Sequence, residues 1–443
     1  MKKRWGVAMA ALAAVLVMCV TLAASLAHGS ADGDPTWPGW GFTHTQYSAD
    51  DGEPEAVATI TDALKAASPM VQAQHIMGWG VDNPEPEPGR FNFGDLDLRM
   101  DFIKRTGGIP VIVLCCAPDW MKGGESGETD WDNLEGAPLP EHFDDFAELS
   151  SRVAERYPYV RHFVVWNEFK GFFDDDRKRW RAEEYTDLYN KVYNAVKAVN
   201  PQNKVGGPYL DFATWPLNSP DAAAELQGPW GAVDQRVLDA FSYWNQHKEG
   251  ADFVVVDGHA TTTTGAADEF AALDEFGAVG AWLRKQTDLP IWWSEWYVDP
   301  ASLEFSSEHQ VALRVAAMIE LASTGAQTVF YWNPYPKGPD CAICLWTDTW
   351  APDGGQPLPF LTEVIDRFVR SFPPDAERRK VPVADGLVAL ESGRALLIVN
   401  TTDAPISATV HRQHVELSPY EVKWVTLPQW IGVLDWVEDT LPG

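Results

Sequence analysis

Short apolar runs alternate with helical stretches from about residue 40 to about residue 370. The apolar runs have the length and the turn-bounded character of buried strands. We predict eight strands, at Gly41–His44, Val71–Ile76, Ile109–Cys115, His162–Trp166, Lys204–Gly207, Phe253–Asp257, Ile291–Ser294 and Thr328–Trp332. Helical spacing of apolar residues predicts helices at Pro54–Ala67, Leu96–Arg105, Glu141–Arg156, Glu183–Val199, Asp234–Gln246, Glu269–Gln286, Glu308–Ser323 and Leu361–Arg370.

Eight strands that are each followed by a helix predict an α/β fold of the (β/α)₈ TIM barrel type. A doubly wound open sheet is the alternative architecture for such an alternation. It is disfavoured because no Gly-x-Gly-x-x-Gly turn follows the first predicted strand.

The pattern changes after Pro373-Pro374, where turn signals such as Ser-Gly, Thr-Asp and Ser-Pro separate short apolar segments. These segments are Leu387–Leu390, Ala395–Val399, Ile406–Val410, Val415–Leu417 and Val422–Leu427. They predict a small C-terminal antiparallel β domain. We therefore expect a barrel over residues 28–372 and a small β-sandwich-like domain with a tail over residues 373–443.

The first 27 residues have the pattern of an export signal. Lys2, Lys3 and Arg4 supply a positive start, and residues 7–26 carry no charge. Ser25-Leu26-Ala27 then offers small residues at the two positions that a signal peptidase reads. Because the apolar stretch is also long enough to span a bilayer, an uncleaved membrane anchor is the alternative. In both cases we expect a secreted or cell-surface protein.

The chain of 443 residues has 34 Lys and Arg against 64 Asp and Glu, a formal charge of −30. This balance argues against a nucleic acid partner, since phosphates are bound by clustered Lys and Arg. It argues equally against an anionic membrane surface or a polyanionic substrate. A count of 21 Trp on so acidic a chain suits a protein that binds an uncharged ligand.

Four cysteines follow the predicted signal segment. Cys341 and Cys344 stand three positions apart in a Pro- and Gly-rich segment, which predicts a small disulfide loop in an exported protein. Zinc is the alternative, but it would need two further ligands at similar spacing. Cys115 and Cys116 end an apolar run and are predicted to be buried core residues rather than nucleophiles.

Two predicted strands end in a glutamate at the mouth of the barrel, where barrel enzymes carry their active sites. The fourth strand leads into Trp166-Asn167-Glu168, and the seventh leads into Ser294-Glu295-Trp296. Cleavage of a glycosidic bond needs two carboxyl groups on either side of the anomeric carbon, and separate strands can hold such a pair rigidly. Either glutamate alone would more simply be a strand-end carboxylate, but the pair favours catalysis.

At these residues the chain resembles the retaining glycoside hydrolases of clan A, and within them family 39, the β-xylosidase-like enzymes. Trp166-Asn167-Glu168 and Ser294-Glu295-Trp296 carry the resemblance most specifically. The segments Phe91–Asp97, Gly108–Val111 and Val205–Pro208 are similar to the family's second helix and its third and fifth strands.

The resemblance implies that Glu168 is the general acid/base, Glu295 the nucleophile and Asn167 a ligand of the sugar 2-hydroxyl. A retaining pair stands about 5–5.5 Å apart, so the two carboxyls should not ionise freely together. We expect Glu168 to keep the proton in the free enzyme.

Four further residues are candidates for substrate binding. His75 and His259 end the second and sixth predicted strands, although a strand-end histidine is as often only structural. Trp332 and Trp296 could stack on a sugar ring, as aromatic rings commonly do in clan members. The tyrosine that clan members carry shortly after the sixth-strand histidine is absent after His259. Another residue, such as Tyr297 or Tyr331, would have to orient the nucleophile.

We therefore predict an exported retaining glycosidase that acts on a neutral oligo- or polysaccharide, such as a β-xyloside, without metal or cofactor. An endo-acting polysaccharide hydrolase or an arabinosidase on the same barrel is one alternative. A non-catalytic carbohydrate-binding cell-wall protein is another, although such a protein needs neither Glu168 nor Glu295. Sugar, linkage and oligomeric state do not follow from the residue pattern, because they depend on the shape of loops and surfaces.

Overall fold

Eight parallel strands close into a barrel in the computed structural model, which describes residues 38–334 and 340–428. In chain order they are β1 (Trp40–Thr43), β2 (Val71–His75), β3 (Ile109–Leu114), β4 (His162–Val165), β5 (Lys204–Asp211), β6 (Phe253–Asp257), β7 (Ile291–Trp293) and β8 (Thr328–Trp332). Each strand pairs with its neighbours in the chain, and β8 closes the circle on β1. The predicted barrel is confirmed, and the open-sheet alternative is wrong.

A helix follows each barrel strand. The helices are α1 (Pro54–Ala66), α2 (Gly94–Arg105), α3 (Phe143–Arg156), α4 (Ala182–Val199), α5 (Gln235–His247), α6 (Asp274–Gln286), α7 (Ser307–Ser323) and α8 (Asp366–Ser371). A four-residue helix at Glu269–Ala272 precedes α6, and a π-helical turn at Phe360–Ile365 leads into α8.

Several helices begin where the sequence offers a cap. The side chains of Asp234 and Ser306 each accept a backbone N–H at the starts of α5 and α7. Pro54 occupies the first turn of α1, where a missing N–H is tolerated. The single helix predicted at Glu269–Gln286 is two helices instead, which meet at Leu273, and Asp268 caps the start of the first.

The barrel strands are buried on both faces. All five residues of β6 are buried, and so are all four of β4. Parallel strands covered by helices on one side and by the barrel interior on the other need no polar face, which explains their nearly continuous apolar runs. Inside the barrel the rings of Phe253 and Trp292 stack with centroids 3.8 Å apart, which ties β6 to β7.

Two insertions at the barrel mouth were not predicted. A three-stranded antiparallel sheet follows β5, at Thr214–Trp215, Ala222–Gly228 and Gly231–Asp234. A short hairpin follows β4, in which Phe173–Asp174 pairs with Arg179–Trp180. The charged residues 175–179 at its turn are exposed. These strands are short and lack a regular apolar alternation, so the sequence pattern carries no signal for them.

Two antiparallel sheets follow α8. One sheet joins β9 (Arg379–Lys380), β10 (Leu387–Ser392), β11 (Ala395–Asn400) and β14 (Val422–Thr426), and the other joins β12 (Ile406–Val410) and β13 (Gln413–Leu417). Buried residues of both sheets, among them Ile398 and Val415, share one hydrophobic core. The predicted C-terminal antiparallel sheets are thus confirmed.

The predicted signal segment at residues 1–27 and the end of the predicted tail, residues 429–443, lie outside the described residues. Within residues 38–334 and 340–428, no helix combines the length and the apolar character needed to cross a membrane.

Candidate active site

Two glutamates lie just beyond the carboxyl ends of β4 and β7, the end of the barrel that carries reacting groups in this fold. Glu168 comes three residues after β4 and Glu295 two residues after β7. Their side chains are buried, with the residues 9% and 3% exposed. The charge of Glu168 contributes to raising the pKa of Glu295.

A tight turn carries Glu168. Trp166, Glu168 and Phe169 all have left-handed backbones, with φ of 70°, 45° and 58°. Non-glycine residues rarely adopt this conformation, and those that do cluster at functional sites. The indole N–H of Trp166 closes the turn by donating to the carbonyl of Lys170 at 2.8 Å. The turn therefore folds Lys170 back toward the carboxyl that precedes it.

Glu295 accepts a hydrogen bond on each carboxylate oxygen. Tyr209 donates to Oε1 at 2.5 Å, and Tyr297 donates to Oε2. The register between β5 and β6 shifts at Tyr209, whose φ is +58°, so this tyrosine is the extra residue of a β-bulge. The bulge aims its hydroxyl into the barrel mouth. Sequence reasoning missed Tyr209 because it ended the fifth strand at Gly207.

Tyr297 supplies the hydrogen bond that the sequence assigned to either Tyr297 or Tyr331. Its backbone N–H donates to the carbonyl of Gly258 at 3.0 Å, which extends the β6–β7 pairing past the strand end. Tyr331 is not involved, since its hydroxyl donates to the carbonyl of Ile343 at 2.9 Å. Two tyrosines from different strands therefore orient the carboxylate of Glu295.

Asn167 is held from both sides. His75 Nε2 donates to Asn167 Oδ1 at 3.3 Å, and Asn167 Nδ2 donates to Glu135 Oε1 at 2.7 Å. Burial, the largest cause, lowers the pKa of His75 to about 4, so its imidazole is neutral at neutral pH. His75 therefore positions Asn167, and each end of the amide keeps capacity for one further hydrogen bond.

Lys170 joins Glu168 to Glu135. Its ammonium contacts Glu168 Oε2 and lies 2.9 Å from Glu135 Oε1. Glu135 lies in the loop between β3 and α3. Neither Glu135 nor Lys170 was predicted, because no local pattern marks a loop residue whose partner lies some thirty positions away in the chain.

The pKa values of the two glutamates are ordered opposite to expectation. Burial by itself favours protonated Glu168, but the hydrogen bond with Asp257 and the ammonium of Lys170 outweigh it and lower the pKa of Glu168. Burial and then the charge of Glu168 raise the pKa of Glu295 to about 8, despite the two tyrosine donors and Lys170. The directions of these two pKa shifts are thus opposite to the expectation that Glu168 keeps the proton.

Two aspartates and a histidine adjoin Glu168. Asp257 ends β6 and is the register partner of Asp211, which ends β5. His259 follows β6 as predicted, with Nε2 3.9 Å from Asp211 Oδ2. Among the described residues, Glu168, Asp257 and His259 could hold a metal ion, because their ligand atoms lie within 4.8 Å of one another. Burial and then the charge of Glu168 raise the pKa of Asp211 to about 7.

Aromatic rings line one side of the mouth. Trp332 at the end of β8 is half-buried, and its ring centroid lies 5.8 Å from that of Trp79 and 6.2 Å from that of His75. Trp296 does not join them. It is 5% exposed and lines a small internal cavity with Met318 of α7. Because Glu295 and Tyr297 point into the mouth, the residue between them points away from it, so the structure does not bring Trp296 together with the other predicted site residues.

A parallel eight-stranded barrel with paired glutamates beyond its fourth and seventh strands has the architecture of a glycosidase. The model of the glycosyl hydrolases family 39 matches residues 82–335, which is more than half of the chain and includes both glutamates. The chain belongs to this family.

The similar proteins include family 39 enzymes. A β-xylosidase from Caldicellulosiruptor saccharolyticus is 23% identical over 288 residues, which are 61% of this chain and 51% of that relative. This chain thus spans about half the length of that relative.

Two solved structures share the fold at low identity. The family 39 enzyme from Xanthomonas axonopodis pv. citri has a TM-score of 0.53 at 18% identity, with 85% of this chain and 73% of that chain covered. A monomeric β-xylosidase from Caulobacter crescentus CB15 has a TM-score of 0.50 at 17% identity, with coverage of 83% and 74%.

Proposed function

We propose that this protein is an exported retaining glycoside hydrolase that cleaves neutral, β-xyloside-like glycosides by double displacement. The observation that carries the proposal is the placement of Glu295. Its two carboxylate oxygens are held by Tyr209 and Tyr297, and a second buried carboxyl, Glu168, follows β4 at the same end of the barrel. A nucleophile held in one rotamer, with an acid/base across from it, is the arrangement that the retaining reaction needs.

In the first step Glu295 attacks the anomeric carbon and forms an ester with the sugar. The glycosidic C–O bond breaks, and Glu168 gives a proton to the departing oxygen. The amide of Asn167, held by His75 and Glu135, is placed to hydrogen-bond a sugar hydroxyl as positive charge develops on the ring.

In the second step Glu168 acts as a base. It takes a proton from water, the hydroxide attacks the anomeric carbon, and Glu295 leaves as a carboxylate. The ammonium of Lys170 lies on Glu168 and favours its ionised form, which suits this step. The product keeps the configuration of the substrate because two inversions occur in sequence.

Three observations support a neutral glycoside as substrate. The chain is strongly acidic, the mouth carries the rings of Trp332 and Trp79, and a relative is named a β-xylosidase. Apolar faces of a pentose ring can pack on such rings. An arabinosidase or an endo-acting hydrolase remains the second candidate, and a substrate panel separates the candidates.

The proposal of export rests on two features. The N-terminal sequence has a basic start, an uncharged apolar stretch and a small-residue end. In addition, both cysteine pairs of the mature chain are disulfide-bonded, Cys115 to Cys116 and Cys341 to Cys344, as is typical of oxidising compartments. Fractionation of expressing cells would test export, and a protein that remains wholly in the cytosol would refute it.

The catalytic assignment is tested with nitrophenyl glycosides. Glu295→Gln should abolish turnover, and Glu168→Gln should lower kcat/KM ~10²–10⁴-fold. Azide should partly rescue Glu168→Ala with an activated leaving group. As a control, Glu320→Gln alters a buried carboxyl that pairs with Lys380 far from the mouth, and it should keep activity.

Two results would contradict the proposal. Wild-type rates in both Glu168→Gln and Glu295→Gln would remove the catalytic assignment. Proton NMR of the first-formed anomer tests the mechanism separately, since an inverted product would exclude Glu295 as the nucleophile.

A further inference from the structure

A cavity of about 460 Å³, which we call the side cavity, lies beside the catalytic groups and has no role in the mechanism above. Four segments of the chain line it: Gln46 after β1, residues 78–82 after β2, Asp95 of α2, and Trp131 with Leu134 after β3. Three of these segments follow the carboxyl ends of barrel strands, so the side cavity lies at the catalytic end of the barrel. Its volume falls within the range of ligand pockets, roughly 300–1,000 Å³.

Two tryptophans give the side cavity an aromatic lining. Trp131 is 49% exposed, and Trp79 is half-buried. Covering an exposed indole removes apolar surface from water, which favours a ligand that can lie flat against the ring. The C–H face of a sugar ring packs on an aromatic ring in this way.

A tight turn sets the position of Trp79. Gly78 and Val81 exchange backbone hydrogen bonds of 2.8 and 3.1 Å around the two residues between them. Both of these residues have left-handed backbones, with φ of 48° at Trp79 and 93° at Gly80. Such two-residue turns favour Asn or Gly at the first position and not a bulky aromatic residue. Residues held in this rare conformation cluster at ligand-binding sites, which points to a function for the ring of Trp79.

Hydrogen bonds fix the two loops that carry these tryptophans. Asn83 Nδ2 donates to Thr129 Oγ1 at 3.1 Å, which joins the loop after β2 to the loop after β3. The second loop is anchored again by Asp119, whose Oδ2 accepts the backbone N–H of Asp130 at 2.8 Å. Because the lining is held in place before a ligand arrives, binding loses little conformational entropy.

The side cavity adjoins the catalytic groups through two of its lining residues. The ring centroid of Trp79 lies 4.2 Å from that of His75, whose imidazole contacts Asn167. Leu134 is followed by Glu135, which accepts a hydrogen bond from Asn167 at 2.7 Å. The side cavity is therefore next to both residues that hold Asn167.

The position of the side cavity indicates which part of a substrate it meets. In the proposed mechanism Asn167 holds the sugar that is attacked, and Glu168 faces the leaving group. The carboxyl of Asp257 and the imidazole of His259, which adjoin Glu168, come from the end of β6. The side cavity is built around β2, which lies opposite β6 in the closed barrel. A sugar unit in it is thus joined to the attacked sugar on the side away from the leaving group, the glycone side.

The polar groups of the side cavity suit a neutral sugar. Asp82 is exposed, and its backbone N–H donates to Asp95 Oδ2 at 3.1 Å, which places the two acidic residues side by side. Carboxylates accept hydrogen bonds from sugar hydroxyls. None of the described residues that line the side cavity carries a positive charge, so its carboxylates repel an acidic sugar.

We propose that the side cavity is a further sugar-binding subsite, which holds the neutral sugar unit next to the attacked one on the glycone side. The inference rests on the proposed glycosidase function and deepens it, since it makes oligosaccharide chains the preferred substrates. Trp79 and Trp131 contact the added sugar, and Asp82 and Asp95 accept hydrogen bonds from its hydroxyls.

The test compares nitrophenyl β-xyloside with nitrophenyl β-xylobioside, which have the same leaving group and differ by one outer sugar. The wild type should cleave the xylobioside with the higher kcat/KM. Trp131→Ala removes one aromatic ring, so it should lower kcat/KM for the xylobioside about tenfold more than for the xyloside. Equal factors for the two substrates in this variant would overturn the proposal, and so would a wild type that prefers the xyloside.

Tyr159→Ala is the matched control. Tyr159 is also an exposed aromatic residue, at 38%, but it lies between α3 and β4 at the opposite end of the barrel. Its replacement should leave the ratio of the two kcat/KM values unchanged. If Tyr159→Ala changes this ratio as much as Trp131→Ala does, the effect does not come from the side cavity and the proposal fails.

Calorimetric titration with xylotriose tests the subsite without turnover. Xylotriose should bind to Glu295→Gln, and the added change Trp131→Ala should weaken this binding about tenfold. Absence of binding, or equal affinities in the two proteins, would overturn the subsite. If the wild type cleaves neither nitrophenyl substrate while xylotriose binds and the binding depends on Trp131, the proposed function has failed and the subsite stands.

Discussion

Glu295 shows how single residues set the chemistry of this site. Burial and the charge of Glu168 favour its neutral form, whereas the hydroxyls of Tyr209 and Tyr297 favour the carboxylate that a nucleophile must be. The balance leaves the pKa of Glu295 at about 8. Activity should therefore fall as the pH decreases through about 8, since Glu295 then takes up a proton.

Removing one tyrosine donor should raise the pH at which activity falls. Tyr297→Phe deletes a hydrogen bond to the ionised form only, so the pKa of Glu295 should rise further. A rise of about one unit in the pKa of Glu295 corresponds to roughly tenfold lower kcat/KM at neutral pH. The variant should regain this activity at higher pH, where Glu295 is ionised. The measurement is kcat/KM against pH for the wild type and the variant.

Tyr331→Phe serves as the control for this shift. It also deletes one buried hydroxyl, but that hydroxyl donates to the carbonyl of Ile343 and not to a carboxylate. The pH profile of Tyr331→Phe should follow the wild type. A loss in Tyr297→Phe that is equal at every pH would mean that Tyr297 acts only through packing.

At the scale of elements, the barrel closes through a close approach of β1 to its neighbours. Gly41 pairs with Val71 of β2 on one side and with Phe330 of β8 on the other. A Cβ added at Gly41 would lie 1.9 Å from the carbonyl oxygen of Val71. Because that atom is backbone, it cannot move aside without separating the strands.

Gly41→Ala should therefore destabilise the protein by about 1–3 kcal/mol or more. The measurement is the midpoint of urea unfolding, with the slope checked so that the change reports stability. Gly94→Ala at the start of α2 is the control, since its nearest contact would be Asn92 Oδ1 at 3.5 Å. Equal midpoints for Gly41→Ala and the wild type would contradict the close approach.

At the scale of the whole molecule, buried histidines and buried carboxyls both depart from their ordinary pKa values. Burial, the largest cause, lowers the pKa of His44 to about 3 and the pKa values of His75 and His162 to about 4. Burial also raises the pKa of Asp211 to about 7 and that of Glu295 to about 8. Burial, again the largest cause, raises the pKa values of Asp257 and Glu275 well above their ordinary values.

These shifts predict a fall in stability above pH 6.5. Between pH 4.5 and 6.5 the histidines carry more protons in the unfolded chain, and the buried carboxyls carry more protons in the folded protein. The effects of the two groups on the pH dependence of stability therefore oppose each other. Above pH 6.5 the histidines of the unfolded chain lose their remaining protons, while the folded protein still holds more protons on its buried carboxyls. Stability should then decrease by up to ~1.4 kcal/mol per pH unit for each such group.

Thermal unfolding followed from pH 6.5 to pH 9 would measure this fall. Glu275→Gln removes one of the buried carboxyls outside the site, so its melting temperature should decline less steeply with pH than that of the wild type. An identical decline in both proteins would show that Glu275 ionises as freely in the folded state as in the unfolded one.

The sequence by itself determined the barrel, the order of its elements and the positions of Glu168, Glu295 and Asn167. These features are local, because a strand's apolar run and the polar residue that ends it are read along a few positions. His75 and Trp332 were located for the same reason, although the sequence did not show that His75 acts through Asn167.

Only the tertiary structure decided which side chains meet. Tyr209 reaches Glu295 through a bulge, Lys170 returns to Glu168 through a left-handed turn, and Glu135 arrives from another loop. The outward direction of Trp296 and the position of Asp257, whose carboxyl lies within 4.8 Å of that of Glu168, depend in the same way on strand register. Closure of the barrel brings together residues far apart in the chain, and one-residue shifts in register choose which of them face inward.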